Sequence, residues 1–173
     1  MDLKRIIREI PDFPVKGISF KDITTLLKDK DCFHYTVENI VNNFCDLGIT
    51  KVIGIEARGF ILGGAIANEL HAGFIPVRKS GKLPGNKIVE EYDLEYGTDK
   101  VEMHSDALNE RDIVLIHDDL LATGGTAEAS CRLIEKSGGL LSGCLFVVEL
   151  PDLNGRKRLR DRAVASIVQF EGE

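Results

Sequence analysis

This sequence predicts an α/β fold, a central and mainly parallel sheet flanked by helices, on three observations. Short apolar runs alternate with stretches of helical periodicity, twice in the order strand, helix, strand, and that alternation predicts parallel strands joined by right-handed crossovers. The run Ile113-Val114-Leu115-Ile116 is β-branched and free of polar residues, as a strand buried on both faces must be. Two strand-to-helix junctions, Gly54 to Phe60 and Asp118 to Thr126, carry charged residues and glycines in place of a plain turn. Open α/β sheets bind their ligands at such junctions, in the crevice outside the carboxyl ends of the strands.

The elements follow in order. Phe33, Val37, Ile40, Val41, Phe44 and Leu47 recur at helical spacing, which predicts an amphipathic covering helix between Asp31 and Leu47, with Asp31 as N-cap and Gly48 as the stop. Lys51 to Ile55 reads as a strand, Phe60 to Leu70 as a helix with Leu62, Ile66 and Leu70 on one face, and Gly73 to Val77 as the next strand. Ile113 to Ile116, a helix from Thr126 to Lys136 ended by Gly138, and a strand from Leu141 to Val148 form the second such unit. Between them, Lys79 to His104 is polar, holds Gly81, Pro84, Gly85 and Gly97, and alternates weakly at Ile88 to Tyr92 and Lys100 to Met103. That pattern predicts a hairpin-like excursion over the sheet edge. It is too long for a plain connection, and long excursions in compact domains are often lids, though composition alone equally allows a solvated hairpin. The whole chain, residues 1–173, reads as a single domain, with 79–104 as the lid excursion.

At 173 residues and 43% hydrophobic content the chain suits one soluble globular domain with a sizeable core. A formal charge of −6 and a pI near 5.3 argue against a general nucleic-acid or anionic-membrane surface, which needs a net basic face. Any anion site must therefore be local. The N-terminus M-D-L-K-R-I-I-R-E-I is charged throughout, and no stretch approaches the roughly 18 apolar residues of a membrane span, so a cytoplasmic protein without membrane or nucleic-acid partner is expected. Cys32, Cys45, Cys131 and Cys144 lack C-x-x-C spacing and mostly sit in apolar patterns, which favours buried free thiols over disulfides or zinc.

The string I-V-L-I-H-D-D-L-L-A-T-G-G-T from Ile113 to Thr126 has the chemistry of a sugar-phosphate site. Thr123-Gly124-Gly125-Thr126 can aim several backbone N–H groups at one anion, because glycine permits positive φ and the following helix adds its positive dipole end. Asp118 and Asp119 would repel a phosphate set directly on them, so they suit the hydroxyls of a sugar beside it. Taken singly, two acids can also cap a helix and Gly-Gly can be a tight connection. The other junction, Glu56-Ala57-Arg58-Gly59, offers a second anion site, in which Arg58 supplies a fork suited to a diphosphate. The basic run Arg78-Lys79-Ser80-Gly81-Lys82-Leu83-Pro84-Gly85 emerges on the same side of the sheet. It is no Walker A motif, since Leu83 stands where Ser or Thr is required. Lys82, at the root of the excursion, can swing onto a diphosphate when a lid closes.

The ordered string Ile113 to Thr126 resembles the 5-phosphoribosyl-1-diphosphate (PRPP) motif of the type I phosphoribosyltransferases, with His117 standing in place of the usual apolar residue. Further segments are similar to the adenine-accepting members of that family: I-P-D-F-P-V-K-G-I-S-F-K-D-I-T from Ile10 to Thr24, E-A-R-G-F from Glu56 with R-K-S-G-K-L-P-G from Arg78, and E-Y-D-L-E-Y-G from Glu91 to Gly97 with D-A-L at Asp106 to Leu108. The resemblance runs over nearly the whole chain. It implies the type I phosphoribosyltransferase fold with a small N-terminal hood, residues 1–30, and a mobile lid hairpin.

The resemblance also implies transfer of ribose 5-phosphate from PRPP to adenine, giving AMP and diphosphate in purine salvage. On that reading Thr123 to Thr126 hold the 5-phosphate, with Ala122 also among the PRPP-binding residues, Asp118 and Asp119 hold the ribose hydroxyls, and Arg58 with Lys82 the diphosphate. Phe20 and Leu120 sandwich adenine, while Ser19 and Lys21 offer backbone groups to its edge, Lys21 standing where many relatives carry arginine. Glu95 and Tyr96 resemble the catalytic pair. Mg²⁺ enters bound to PRPP with no direct protein ligand, and the assembly is a homodimer. The alternatives are transfer to xanthine, guanine or orotate, and a PRPP-sensing regulator. The latter needs a DNA-binding addition or a basic face, which this acidic chain does not offer.

Overall fold

The computed structural model describes residues 1–94 and 97–172; Glu95 and Tyr96, the two residues expected to be catalytic, lie outside that range. The chain opens with β1 (Arg8–Ile10) and β2 (Phe20–Asp22), an antiparallel pair, followed by the single turn α1 (Thr24–Leu27) and the long helix α2 (Lys30–Phe44). The first strand-helix-strand unit is β3 (Lys51–Ile55), α3 (Gly59–Glu69) and β4 (Gly73–Lys79). A hairpin of β5 (Lys87–Asp93) and β6 (Thr98–His104) leads to the second unit, β7 (Ile113–Leu121), α4 (Gly125–Ser137) and β8 (Leu140–Glu149), and the chain closes with α5 (Gly155–Arg158) and β9 (Val164–Gln169).

Among the described residues the main sheet has seven strands in the order β5-β6-β4-β3-β7-β8-β9. The five from β4 to β9 are parallel, and β6 joins β4 antiparallel at Arg78 and Lys79. The α/β, mainly parallel architecture read from the sequence is therefore the one observed, and the excursion extends the sheet at its edge as a hairpin. One hydrophobic cluster fills the α2 and α3 face, where Leu62 and Ile66 meet Val52, Leu115 and Val147; the other fills the α4 face, where Leu133 and Ile134 meet Ile53, Ile116 and Phe146. Burying both faces explains why Val114, Leu115 and Ile116 all have no exposed surface. Leu3, Ile7, Ile23 and Leu26 from the N-terminal segment join the first cluster, so this segment is tied to the sheet through apolar burial.

Two boundaries differ from expectation. The N-cap of α2 is Asp29, not Asp31: Asp29 has extended backbone and its carboxylate accepts the N–H groups of Asp31 and Cys32 at 3.0 Å. Asp31 instead contributes its charge to the first turn, where the helix dipole favours it. Gly48 does end the segment, in the left-handed region at φ 64° after a short 3₁₀ turn, Cys45–Leu47. The strand β7 runs past the apolar stretch through His117, Asp118 and Asp119 to Leu121, because β8 stays paired beside it as far as Leu121 and Glu149. β9 was not predicted; V-A-S-I-V-Q is too short and too mixed to stand out without its partner β8. Cys32, Cys131 and Cys144 are buried free thiols as expected, whereas Cys45 is exposed. No helix among the described residues is long and apolar enough to cross a membrane.

Candidate active site

Strands β3 and β7 are neighbours, with Gly54 opposite His117, so their carboxyl ends release two chain segments side by side. From β3 comes Glu56-Ala57-Arg58 leading into α3; from β7 come the two acids and the turn Ala122-Thr123-Gly124 leading into α4. A cleft of about 310 Å³ lies between them, lined by Arg58, Asp118, Asp119, Leu120 and Thr126 and also by Glu56 and Lys79. An adjoining niche of about 80 Å³ is walled by the turn itself, Ala122 through Thr126. Every residue expected to contact ribose or the 5-phosphate, and Arg58 and Leu120 besides, thus borders one continuous depression.

The turn is shaped by its glycines. Gly124 is the N-cap of α4 with φ 82°, the left-handed conformation that side chains disfavour, and α4 then starts at Gly125. The first N–H groups of a helix have no carbonyl partner within it, so they face the niche as a set of donors reinforced by the helix dipole.

Electrostatics distinguish the two acids. The Asp119 carboxylate is ion-paired with the Arg58 guanidinium through Nε. Asp118 is less exposed to cations: burial, and then the charge of Asp119, push its carboxyl well above the usual carboxylate range. Behind them, His117 is fully buried, packed toward Gly63 of α3, and neither ring nitrogen has a hydrogen-bond partner among the described residues. Burial depresses its pKa to about 4 against the opposing pull of Asp119's charge and of the Leu145 backbone.

The cations on the other side are held in the same way. Glu56 accepts from Arg78 Nε at 3.1 Å and from Lys82 Nζ at 2.9 Å, and its own burial is outweighed by these donors so that its pKa falls to about 2. Lys82, expected to move onto a diphosphate, therefore reaches the cleft rim through Glu56. Lys79 lines the cleft directly and pairs with Asp99 at 2.7 Å and with the Tyr92 hydroxyl. Neither Glu56 nor Lys79 stood among the site residues expected from the sequence. The run Arg78 to Lys82 marks the cations, but nothing local in it says which carboxylate the fold sets beside them.

The residues expected around a base divide. Phe20 stacks beneath Arg58, whose Cζ lies 5.1 Å from the ring centroid, and meets Phe13 edge-on at 5.2 Å. This puts the aromatic of β2 next to the cleft's arginine. Leu120 lines the cleft. The Lys21 side chain is buried and points elsewhere, with Nζ 2.5 Å from Glu9 Oε2, 3.0 Å from Ser19 Oγ, and over the Phe170 ring. The side chains of Ser19 and Lys21 thus hold β1 and β2 together, which leaves only their backbone groups for a ligand.

An open parallel sheet with two anion-receiving turns at adjacent strand ends, separated by two carboxylates, defines a class of protein that grips a sugar bearing phosphates at both ends. The phosphoribosyl transferase domain model matches residues 30–171, and the chain belongs to that family. An adenine phosphoribosyltransferase of Prosthecochloris aestuarii is 52% identical, with both chains covered in full. The crystal structure of adenine phosphoribosyltransferase from Thermoanaerobacter pseudethanolicus superposes with a TM-score of 0.95 at 48% identity, covering 98% of each chain. That of the Saccharomyces cerevisiae enzyme, complexed with D-2,5-dideoxy-2,5-imino-altritol 1,6-bisphosphate and adenine, does so with a TM-score of 0.91 at 35% identity, over 96% of this chain and 97% of that one.

Proposed function

We propose that this protein transfers the ribose 5-phosphate group from PRPP to adenine, giving AMP and diphosphate, as a purine-salvage enzyme. The observation that carries this reading is the convergence of both phosphate-suited turns on one cleft at the ends of β3 and β7. The geometry is consistent with the following roles. The 5-phosphate sits in the niche of Ala122 to Thr126, the ribose lies across Asp118 and Asp119, and the diphosphate lies toward Arg58 and Lys82. Adenine fits between Phe20 and Leu120, with the backbone of Ser19 and Lys21 at its edge and residues 1–30 as a hood.

Departure of diphosphate leaves an oxocarbenium-like ribose, so the site must stabilise the leaving anion and keep water away from the cation. Arg58, Lys82 and Lys79 supply positive charge where the leaving group accumulates negative charge. Segment 79–104 acts as the cover, carrying Glu95 to manage the proton on the imidazole nitrogens of adenine and Tyr96 to shield the ribose. Mg²⁺ belongs to the substrate: Asp119 is tied to Arg58, and burial beside Asp119 raises the Asp118 carboxyl above its ordinary range, so a direct bond from either acid to the ion is disfavoured. The ion would be held by phosphate oxygens and water, screening the diphosphate. The same proposal makes the protein a cytoplasmic homodimer.

The test is to mix the protein with PRPP, Mg²⁺ and equal amounts of adenine, guanine, hypoxanthine, xanthine, uracil and orotate, and to identify the nucleotide formed. AMP as the dominant product is expected. Another nucleotide would overturn the assignment of the base, and no nucleotide at all would overturn the transfer reaction.

A further inference from the structure

The phosphate turn is a cradle of backbone donors, and the fold also brings a cation to it. The short helix α5 packs directly on the turn. A Cβ placed on Gly155 would lie 2.3 Å from the Ala122 carbonyl oxygen, and one placed on Gly124 would lie 2.7 Å from the Gly155 carbonyl oxygen. Residues three apart share a helix face, so Arg158 leaves α5 one turn beyond Gly155 on the side that meets the turn. Its Nη1 is in fact 3.2 Å from the position a Cβ of Gly125 would take, beside the first helical residue of α4. Leu159, fully buried, anchors the end of α5 and fixes this approach.

The neighbouring arginines show why this one is distinct. Arg156 is held by Glu149 at 2.5 Å and Arg162 by Glu135 at 2.7 Å. Arg158 has no ion pair or hydrogen bond of its side chain among the described residues, and it is exposed. An unpaired guanidinium beside helix N–H groups faces the same sign of partial charge, which is unfavourable until an anion arrives. We propose that Arg158 is a side-chain ligand of the 5-phosphate, closing the niche from the α5 side and supplying the full positive charge that the backbone donors lack. This rests on the reading of the niche as the 5-phosphate site. Arginine suits the task because its planar fork can meet two phosphate oxygens at once.

The test is direct titration of ribose 5-phosphate, and separately of diphosphate, into the wild-type protein and into Arg158→Ala, Arg158→Lys and Arg160→Ala variants. Arg160 is an exposed cation two residues on and serves as the control for general charge. Loss of a charge-assisted contact to phosphate predicts that Arg158→Ala weakens ribose 5-phosphate binding about ten-fold or more, leaves diphosphate binding within about two-fold, and is partly rescued by lysine. Unchanged ribose 5-phosphate affinity would overturn the proposal, as would equal weakening of both ligands or an equal effect of Arg160→Ala. A wild-type protein that does not bind ribose 5-phosphate would overturn it too. If the wild type binds ribose 5-phosphate yet forms no AMP in the base mixture, the enzymatic reading fails while Arg158 is still judged by its own affinities.

Discussion

Replacing His117 by leucine isolates a buried imidazole next to the site's paired acids. In the folded chain the ring is fully buried with a pKa near 4, whereas the unfolded chain restores the ordinary value of about 6.5. The depressed folded value means that the unfolded state binds the proton more readily, so the neutral ring's contribution to stability is complete above the unfolded pKa and is lost as pH falls toward 4. One pKa unit corresponds to about 1.4 kcal/mol, so the full loss is roughly 3 kcal/mol, of which about 2 kcal/mol falls between pH 7 and pH 5. The assay is urea unfolding of the wild type and His117→Leu at pH 7, 6, 5.5 and 5. Taking the difference removes most of what Asp118, Glu56 and the other carboxylates do to both proteins. At pH 7 the leucine variant is expected to be at least as stable, because it replaces two unpartnered buried nitrogens by apolar volume of similar size. As pH drops, its advantage should grow by about 2 kcal/mol by pH 5. A difference that stays flat over that range would refute the reasoning, since it would mean that the ring is protonated in the fold without cost. A ring that titrates near 6.5 by proton NMR in the native protein would do the same.

Gly155→Ala places a methyl 2.3 Å from the Ala122 carbonyl oxygen, about 0.7 Å inside the 3.0 Å limit of real contacts. Backbone must move, so Tm should fall by roughly 3–8 °C and the KM for PRPP should rise about ten-fold or more as the phosphate turn shifts; a wild-type Tm together with a wild-type KM would show that α5 does not set the turn. Glu90, buried on β5, is ion-paired with Lys136 and bonded by Arg132 at 2.8 Å, cations that outweigh burial and hold its carboxyl below the usual range. Glu90→Gln should cost about 1 kcal/mol, discounted for the exposure of both partners, and amide hydrogen exchange should quicken in β5 but not in β8; equal exchange in both strands would argue against a local latch between hairpin and α4. Glu95→Gln should lower kcat by about 10²–10⁴-fold while PRPP affinity, read by titration, stays within about three-fold; comparable loss in both would remove Glu95 from proton transfer.

How much was readable in advance follows from the range over which each feature is determined. The paired strand-helix-strand units were legible because periodicity is local, and the two site junctions because glycine and acids are unusual where an apolar run ends. The extension of β7 through Asp118 and Asp119 was not, since only β8 alongside makes those acids strand residues. The partners of the cations were illegible for the same reason. Glu56 lies 22 residues from Arg78 and Arg58 lies 61 from Asp119, distances that the fold alone brings to contact. The cap at Asp29 in place of Asp31 was a choice between two nearby acids, decided by which backbone is extended. Arg158 carries no local signal of a role, since only the packing of α5 against the phosphate turn brings it there.

These pairings also bear on how the site discriminates among anions. Arg58 is held by Asp119, Lys82 and Arg78 by Glu56, and Lys79 by Asp99. On the proposed roles an incoming diphosphate does not meet free cations; it must exchange with carboxylates that already satisfy them. The gain from binding is the difference between two charge-assisted arrangements, much smaller than the attraction of an anion to an unpaired arginine. A ligand that displaces only one carboxylate gains little, because the remaining pairs hold their geometry and the displaced acid is left partly buried without a partner. One that spans both turns recovers the loss through two ends at once, the second binding as an intramolecular step. The pre-paired cations thus disfavour inorganic phosphate and other anions confined to the diphosphate side of the cleft without any steric barrier. On the same argument the niche at Ala122 to Thr126, beside which Arg158 has no ion-pair partner among the described residues, is where a two-ended ligand would be captured first.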